Sequence, residues 1–429
     1  MPDTRRQGVR SDTRYGLATS PFGFILRVAA DPRHPMWMGV QLVAVRGLVA
    51  VKFLLAARLL GPELVGLVGI ALLSLAIVES LSDTGLSQAV VQRVAAIDRH
   101  EAGAVWTLQL TRGVVLAVLL LGLALPISSF FKVSGAKDLI ALAALAPLLR
   151  NSFNPGLFLV QRGRNFRKLS GYEALAAAID LGMTLVSIRL GMGASSILLG
   201  GLAGDGARLL QTWTRFRCPM RINVRWQSIQ GLTSFGKWIW GSSVVTLALN
   251  QFDKVLVARF LGVTEFGIYQ VASRIAQLAL ADGATALGQF LYPTFAHRYR
   301  VDTSGAKHYL YFVLKRVVVM ASVVATLLVF FAAPVIHAVL GPQWLPAVGV
   351  LRVLAFAMLF GAVIAVLAPY LRAIGLPQVV TMATLIQLLV LCPLAILLTV
   401  SFGAMGMAAA TALAGCAAVI HLLRKARNT

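Results

Sequence analysis

The sequence predicts an all-α, polytopic membrane protein with about twelve transmembrane helices. Of its 429 residues, 58% are hydrophobic and only 13% are charged, and the mean hydropathy is +0.80. This balance lies outside the range of soluble globular domains. Apolar runs of roughly 20 residues, the length that crosses a bilayer, recur from residue 36 almost to the C-terminus. A soluble core has no room for so many such runs.

Short gaps divide the apolar runs into two sets of six predicted spans. The first set lies near 36–58, 64–83, 104–128, 139–160, 170–190 and 195–212. The second set lies near 238–258, 266–291, 315–340, 346–370, 378–400 and 402–423. We therefore predict a cytoplasmic N-terminal arm, an N-lobe, a basic cytoplasmic linker, a C-lobe and a basic cytoplasmic tail. Their bounds are 1–35, 36–212, 213–237, 238–423 and 424–429.

Basic residues alternate from one gap to the next. The formal net charge of +23 comes from short clusters between the apolar runs. A basic domain of the kind that binds nucleic acid is missing from this pattern, so we expect no nucleic-acid partner. The gaps near 191–194, 341–345 and 401–403 hold no Lys or Arg. Because Lys and Arg concentrate in cytoplasmic loops, we expect a multi-pass protein of the cell inner membrane with both termini in the cytoplasm.

An internal repeat relates the two sets of spans. A shift of 201 residues aligns 57–61 with 258–262 without a gap, and also aligns Gly66 with Gly267. Six spans separate equivalent positions, and an even number means that both lobes run the same way through the membrane. We expect the lobes to superpose with Arg58 on Arg259. A parallel repeat of this kind places a transport site between the lobes.

One segment carries a resemblance to a known family. It reads Asn250-Gln251-Phe252-Asp253, then Ala258-Arg259-Phe260-Leu261-Gly262, then Gly267-Ile268-Tyr269. This resembles the seventh helix of the polysaccharide biosynthesis proteins, the Wzx-type flippases of the multidrug/oligosaccharidyl-lipid/polysaccharide (MOP) exporter superfamily. The resemblance covers roughly residues 36–423 and is moderately specific when its motifs are taken together.

The resemblance implies transport without covalent chemistry. The expected cargo is an undecaprenyl-diphosphate-linked oligosaccharide, moved across the inner membrane by alternating access for exopolysaccharide, capsule or O-antigen (lipopolysaccharide) synthesis. The expected partners are this lipid-linked oligosaccharide and the lipid bilayer, with a polysaccharide polymerase and chain-length proteins as further candidates. We expect no enzyme activity and no catalytic residue.

Three alternatives stay open at this point. A multidrug exporter of the same superfamily shares the twelve-span repeat, but we would expect its cavity carboxylates to outnumber the bases. A lipid II flippase would be expected to carry two extra helices. A polysaccharide polymerase or ligase would need a large periplasmic loop, and the outer gaps are too short to form one.

Charges inside the predicted spans supply the candidate site. A charge at bilayer depth costs at least ~2.5–3.5 kcal/mol, so it usually faces a cavity or a partner. A diphosphate needs cations, and Arg binds phosphate bidentately. We predict a cationic, substrate-binding cavity between the lobes, led by Arg46, Lys52, Arg150, Arg274 and Arg352.

Arg150 is the cation that we expect to contact the diphosphate. No carboxylate lies within one helical turn of it, so a local salt bridge cannot neutralise it. Pro147 and Pro155 flank it and predict a kink in the fourth span. The alternative is an ion pair between helices, with Asp180 or Asp205 as the partner.

Five acidic residues are candidates for coupling transport to a gradient of H⁺ or Na⁺: Glu79, Asp83, Glu173, Asp180 and Asp253. The first two stand four residues apart, and the next two stand seven apart, so each pair shares a helical face. Buried ion pairs or helix caps are the alternative. We expect no resident cofactor and no metal site, because the six His residues and the three Cys residues are scattered.

Single cysteines test the predicted topology. In a chain whose three native Cys residues are replaced by Ser, Met192→Cys and Gln343→Cys should react with a membrane-impermeant maleimide added from the periplasm. Arg225→Cys should stay unlabelled until the membrane is permeabilised, because its loop is rich in Arg. The reverse labelling pattern would reject the topology.

Overall fold

A computed structural model describes residues 36–82, 99–163, 165–219 and 236–428. The predicted N-terminal arm, most of the predicted linker and the candidate Asp83 lie outside these residues. The described chain is helical throughout, apart from short turns, and none of its residues forms a strand. The predicted fold class is confirmed.

Among the described residues up to 219 there are seven helices: α1 (Met36–Leu81), α2 (Arg99–Phe131), α3 (Ala136–Ala143), α4 (Leu145–Asn151), α5 (Gly156–Arg162), α6 (Phe166–Arg189) and α7 (Ser195–Thr214). Six more lie among the described residues from 236 onward: α8 (Gly236–Phe260), α9 (Val263–Ala276), α10 (Asp282–Val301), α11 (Thr303–Val339), α12 (Ala347–Ala373) and α13 (Pro377–Arg427). A π-helical turn, Gln277–Ala281, joins α9 to α10, and a 3₁₀ turn, Pro342–Trp344, follows α11.

The helices account for the predicted spans. Gly61 interrupts α1 and Gly403 interrupts α13, so each of these long helices contains two membrane-crossing segments. The short helices α3, α4 and α5 together form the fourth crossing, and α9 and α10 together form the eighth. The six helices that are long and apolar enough to be spans by themselves include both interrupted ones. The basic residues of the predicted tail continue α13 as far as Arg427.

The fourth crossing breaks where the sequence predicts a kink. α4 ends at Asn151, and Pro155 is the residue before α5. Asn154 lies fully buried in the break. Its side-chain oxygen accepts hydrogen bonds from the backbone N–H of Gly156 (2.9 Å) and of Cys218 (3.0 Å). The break therefore ends α4 one residue after Arg150 and ties this crossing to the start of the predicted linker.

Two glycines at repeat-related positions have the same backbone conformation. Gly61 has φ 80° and ψ 173°, and Gly262 has φ 86° and ψ −178°. A positive φ of this kind is accessible to glycine and strained for other residues. Each glycine ends one helical segment and lets the chain turn back into the next. The local geometry agrees with the predicted repeat at these positions, while superposition of the complete lobes stays a prediction.

The helices that follow these turns touch backbone to backbone. A Cβ atom added to Gly66 would overlap the carbonyl oxygen of Val263, and one added to Gly267 would overlap the carbonyl oxygen of Pro62. The two contacts are reciprocal under the 201-residue shift. Glycines let α1 and α9 approach this closely, so the pair forms a direct joint between the N-lobe and C-lobe residues.

Hydrogen bonds close the same end of the bundle. The Arg58 guanidinium donates to the carbonyl oxygens of Ala338 (2.8 Å) and Val339 (3.1 Å), at the end of α11. The indole N–H of Trp344 donates to the carbonyl oxygen of Ala57 (3.2 Å). Trp344 is fully buried in an apolar cluster that both lobes share. We call this end, with its contacts at Gly66, Arg58 and Trp344, the closed end.

Adding one methyl group should test the joint. Gly66→Ala should lower the free energy of unfolding by about 1–3 kcal/mol, because the new Cβ forces α1 and α9 apart. Gly122→Ala is the matched control, since an added Cβ meets nothing within 4 Å there. The control should raise stability by roughly 0.5–1 kcal/mol. Thermal unfolding in detergent, followed by tryptophan fluorescence, measures both; equal effects would contradict the close contact.

Candidate functional site

Charged side chains meet inside the N-lobe. Four helices supply them: α1, α4, α6 and α7. Close packing of α6 on α7 depends on Gly200, where an added Cβ would overlap the side-chain oxygen of Thr184. The set, which we call the N-lobe cluster, consists of Lys52, Glu79, Arg150, Glu173, Asp180, Asp205 and Arg208.

Asp205 lies at the centre of the N-lobe cluster and is 2% exposed. Its Oδ2 accepts a hydrogen bond from Arg150 Nε (2.8 Å), and its Oδ1 accepts one from Arg208 Nη1 (2.9 Å). Each guanidinium also reaches a second carboxylate: Arg150 pairs with Glu79 (3.1 Å), and Arg208 pairs with Glu173 (3.1 Å). One buried carboxylate therefore joins two cations that come from different helices.

A separate ion pair completes the cluster. Lys52 Nζ lies 2.6 Å from Asp180 Oδ1, and the two side chains are 14% and 16% exposed. With every group ionised, three cations face four carboxylates, so the cluster holds an excess of one negative charge. In a low-dielectric interior such an excess favours binding of a small cation.

A small polar cavity opens within the cluster. It has a volume of about 160 Å³ and is lined by Lys52, Arg150, Asp180, Asp205, Arg208 and apolar residues of the same lobe. Ordinary small-molecule pockets begin near ~300 Å³, so the cavity suits waters or an ion and is too small for an oligosaccharide.

The structure brings together two of the five predicted substrate-binding cations. Lys52 and Arg150 line the polar cavity, and both are paired with carboxylates. Arg46 is exposed on α1, Arg274 is half-buried in the last turn of α9, and Arg352 is exposed on α12. Arg352 Nε donates to the carbonyl oxygen of Val329 (3.0 Å). The pairing of Arg150 with Asp205 is the alternative that the sequence left open, and substrate contact by the five cations stays a prediction.

The predicted ion-coupling residues divide between the lobes. Glu79, Glu173 and Asp180 belong to the N-lobe cluster. In the C-lobe, Asp253 Oδ2 accepts a hydrogen bond from the hydroxyl of Tyr269 (2.8 Å). The other oxygen of Asp253 is buried and has no hydrogen-bond partner among the described residues. The role of Asp253 in ion coupling stays a prediction.

Two charged residues belong to the site although the sequence prediction does not include them among its candidates. Arg208 stands three residues after Asp205, the spacing of a helical i,i+3 ion pair. Arg112, on α2, donates to Ser82 Oγ from Nε (3.1 Å) and Nη2 (2.9 Å). Its Nη2 also donates to the backbone carbonyl of Glu79 (3.1 Å). Both residues lie inside predicted spans, where a charge is itself a signal for a site, and Arg208 has the i,i+3 spacing in addition.

An apolar groove lies beside the N-lobe cluster. It has a volume of about 580 Å³ and runs between the second half of α1 and α2. Its walls come from Ser74 to Ser82 on α1, from Val115 to Phe131 on α2, and from Val255 on α8. The groove therefore touches both lobes, whereas the polar cavity touches one.

The protein is a helical bundle of membrane-crossing segments. One half of the bundle contains buried charged side chains, and the two halves are in contact at the closed end. This is the architecture of a membrane transporter. The fold is similar to that of an inward closed conformation of the lipid II flippase MurJ, with a TM-score of 0.73 and 16% identity over 91% of this chain and 87% of that one. It is also similar to an outward-facing multidrug resistance MATE family transporter of the MOP superfamily. That likeness has a TM-score of 0.62 and 15% identity over 94% of this chain and 96% of that one.

The sequence itself identifies the family. Residues 55–349 match the family described as polysaccharide biosynthesis protein, and the chain belongs to that family. The resemblance carried by residues 250–269 is thereby confirmed.

Two curated relatives agree with this assignment. The chain is 24% identical over 347 residues to the succinoglycan biosynthesis transport protein ExoT of Rhizobium meliloti. The aligned residues cover 80% of this chain and 69% of ExoT. It is 24% identical over 262 residues to the lipopolysaccharide biosynthesis protein WzxC of Escherichia coli. That alignment covers 61% of this chain and 53% of WzxC. The chain thus spans about half of WzxC. ExoT, MurJ and the MATE protein are transport proteins, which supports the prediction that the chain is not an enzyme.

Neutralising the central carboxylate should test the N-lobe cluster. Asp205→Asn should destabilise the protein by about 3–5 kcal/mol, because two guanidinium groups lose a buried partner. Glu173→Gln is the control, since its carboxylate is 30% exposed and pairs with one cation. The control should cost less than about 1 kcal/mol. Abundance in the membrane and the unfolding temperature report both effects, and an equal loss in the two variants would contradict the central role of Asp205.

Proposed function

We propose that the protein is a flippase that moves lipid-linked oligosaccharides across the inner membrane for exopolysaccharide, capsule or O-antigen synthesis. The proposal depends on one combined observation. Residues 55–349 match the polysaccharide biosynthesis protein family, and the fold is similar to that of a lipid flippase. The carrier lipid in this proposal is undecaprenyl diphosphate. Both chain termini lie in the cytoplasm, as the distribution of Lys and Arg favours.

Alternating access provides the mechanism. With this topology the closed end faces the periplasm, so the described conformation is closed to the outside. Opening it requires the loss of the bonds from Arg58 to α11 and from Trp344 to Ala57. The two bonds from Arg58 are charge-assisted and worth about 1.5–3 kcal/mol each, and the bond from Trp344 is worth about 0.5–1.5 kcal/mol. Binding energy of this size is within reach of a charged substrate, so the closed end can act as a reversible gate.

The predicted cations supply the substrate site of this proposal. In this proposal the diphosphate contacts one or more of Arg46, Lys52, Arg150, Arg274 and Arg352. Arg150 supports this idea, because its side chain is 42% exposed even though it holds two carboxylates. A diphosphate that binds Arg150 would release Glu79, and a proton or Na⁺ would then balance the freed carboxylate. This exchange offers a physical route for coupling transport to an ion gradient.

A lipid II flippase is the second candidate. The likeness to MurJ, with a TM-score of 0.73, favours it over a multidrug exporter, for which the MATE likeness is 0.62. Both flippase candidates carry a polyprenyl diphosphate, so they differ in the attached sugar. The family match favours an oligosaccharide of a surface polymer.

Loss and restoration of the gene should decide between these functions. Deletion in the native host should abolish a surface polysaccharide and cause the undecaprenyl-linked oligosaccharide to accumulate in the cytoplasmic leaflet. Plasmid-borne wild type should restore export, which is measured by polymer immunoblot and by mass spectrometry of extracted lipids. Intact surface polymer in the deletion strain would contradict the proposal. Rescue of a strain depleted of its lipid II flippase would favour the second candidate.

The same strain should separate a substrate role of Arg150 from a structural one. The double variant Arg150→Ala/Glu79→Gln removes the cation together with one of its partners, so we expect near-normal abundance. Export should nevertheless fall by about tenfold or more, the effect of losing one charge-assisted contact to phosphate. Arg150→Lys should retain partial export, because it keeps the charge and loses the bidentate geometry. Full export in the double variant would remove Arg150 from the substrate site.

A further inference from the structure

The apolar groove has one polar end. At that end Ser82 lines the groove, and its hydroxyl accepts two hydrogen bonds from Arg112. Arg112 lies one turn before Val115 and Leu116, which begin the apolar wall of α2. At the opposite end the wall is aromatic, and the ring of Phe130 lies 5.2 Å from the Arg259 guanidinium. The groove therefore runs from Arg112 to an aromatic wall, whose outer ring contacts a second cation, Arg259.

Arg112 is set apart from the neighbouring cations by its partners. Lys52, Arg150 and Arg208 each contact a carboxylate at 3.1 Å or less. The three hydrogen bonds of Arg112 all go to neutral oxygens, of Ser82 and of the Glu79 backbone. Within the described part of the chain no carboxylate pairs with Arg112. A half-buried guanidinium whose described hydrogen-bond partners are all neutral can still pair with an anion, and Arg suits a phosphate because of its planar fork.

The dimensions of the groove suit one extended hydrocarbon chain. From Val115 to Phe130 the wall on α2 rises about 22 Å at ~1.5 Å per residue, most of the ~30 Å hydrocarbon core. The distance from Gly61 to Ser82 is about 31 Å by the same rise. Because Gly61 lies at the closed end, Ser82 and Arg112 lie near the opposite membrane surface. A ligand with its head at Arg112 would therefore enter from the face that the predicted topology assigns to the cytoplasm.

Contact with both lobes distinguishes the groove from the outer, lipid-facing surface. Val255 of α8 forms part of its wall, while the rest of the wall comes from α1 and α2. Movement between the lobes would not change the contacts of a bilayer lipid on the outside of one lobe. A hydrocarbon chain that contacts Val255 and α2 at the same time would be bound or released by that movement. Transport of a bound lipid requires such a change.

We propose that the groove holds the isoprenoid chain of a polyprenyl diphosphate while Arg112 binds its diphosphate. This assignment rests on the proposed function and adds to it a tail-binding subsite and a head-binding residue. Chain burial supplies affinity that does not depend on the sugar, at about 25 cal/mol per Å² of apolar surface. Arg112 supplies selectivity for the anionic head, so the carrier is recognised by features common to all its glycosylated forms.

Binding of defined lipids to the purified full-length protein tests the assignment. Native mass spectrometry would measure undecaprenyl diphosphate, uncharged undecaprenol and phosphatidylglycerol against wild type and variants. Leu119→Trp fills the groove, since Leu119 lines it. Leu121→Trp is the matched control: the same change on the same helix, at an exposed position outside the groove wall. Arg112→Gln and Arg112→Lys alter the head end.

The expected pattern has two parts. Leu119→Trp should weaken binding of undecaprenyl diphosphate and undecaprenol by about tenfold or more, a loss near 1.4 kcal/mol, while Leu121→Trp leaves both unchanged. Arg112→Gln should weaken undecaprenyl diphosphate by about tenfold and leave undecaprenol unchanged, with Arg112→Lys in between. Equal binding by the two Trp variants would overturn the groove assignment. Displacement of undecaprenyl diphosphate by an equal concentration of phosphatidylglycerol would show an ordinary bilayer-lipid site and would overturn it too.

Failure of this assignment can be told apart from failure of the proposed function. If wild type and Leu119→Trp both restore polymer export and bind undecaprenyl diphosphate alike, the groove assignment is wrong and the flippase proposal stands. If wild type binds no undecaprenyl diphosphate and the deletion strain keeps its surface polymer, both are wrong. An unchanged ratio of undecaprenyl diphosphate to undecaprenol binding in Arg112→Gln would reject Arg112 as the head ligand.

Discussion

The backbone contact between α1 and α9 fixes the relation between the two halves of the molecule. Without side chains at Gly66 and Gly267, each helix approaches the carbonyl oxygen of its partner. The glycine turns at Gly61 and Gly262 place the second half of α1 beside α9, so that the two segments are in contact just after each turn. Arg58 can then bridge the lobes with two hydrogen bonds and Trp344 with one, because the main chains are already close. The closed end thus combines a tight steric fit with weak polar bonds, a combination that can separate and re-form.

Charge compensation governs the interior of the N-lobe. Inside a membrane an unpaired charge is costly, and Asp205 lowers this cost for two guanidinium groups at once. Such pairing holds α4, α6 and α7 in one arrangement and leaves a single excess carboxylate. Arg112, whose described partners are neutral, lies next to this arrangement. The N-lobe cluster and the apolar groove are therefore two chemically distinct neighbours, one suited to an ion and the other to a lipid anion.

Much of the fold could be predicted from the sequence, because bilayer thickness dictates the length of apolar runs and charge dictates their ends. The turn at Gly262 and the break near Pro155 also follow from local chemistry. The partners of Arg150 could not be fixed in this way. Asp205 and Glu79 are distant in sequence, and their meeting depends on how α1, α4 and α7 pack. Sequence spacing separates local pairs from distant ones, but it cannot choose between Asp180 and Asp205.

The π-helical turn at Gln277–Ala281 separates the eighth crossing into two helices, α9 and α10. A π turn holds one residue more than an α turn, so the side chains after it are rotated by about 100° relative to an uninterrupted α-helix. The two halves of the crossing therefore present different faces to their surroundings: α9 packs on α1 of the N-lobe and also on α12, whereas α10 packs mainly on α12 of the C-lobe. When the lobes part at the closed end, the extra residue gives this crossing a place to bend between its contacts with α1 and its contacts with α12.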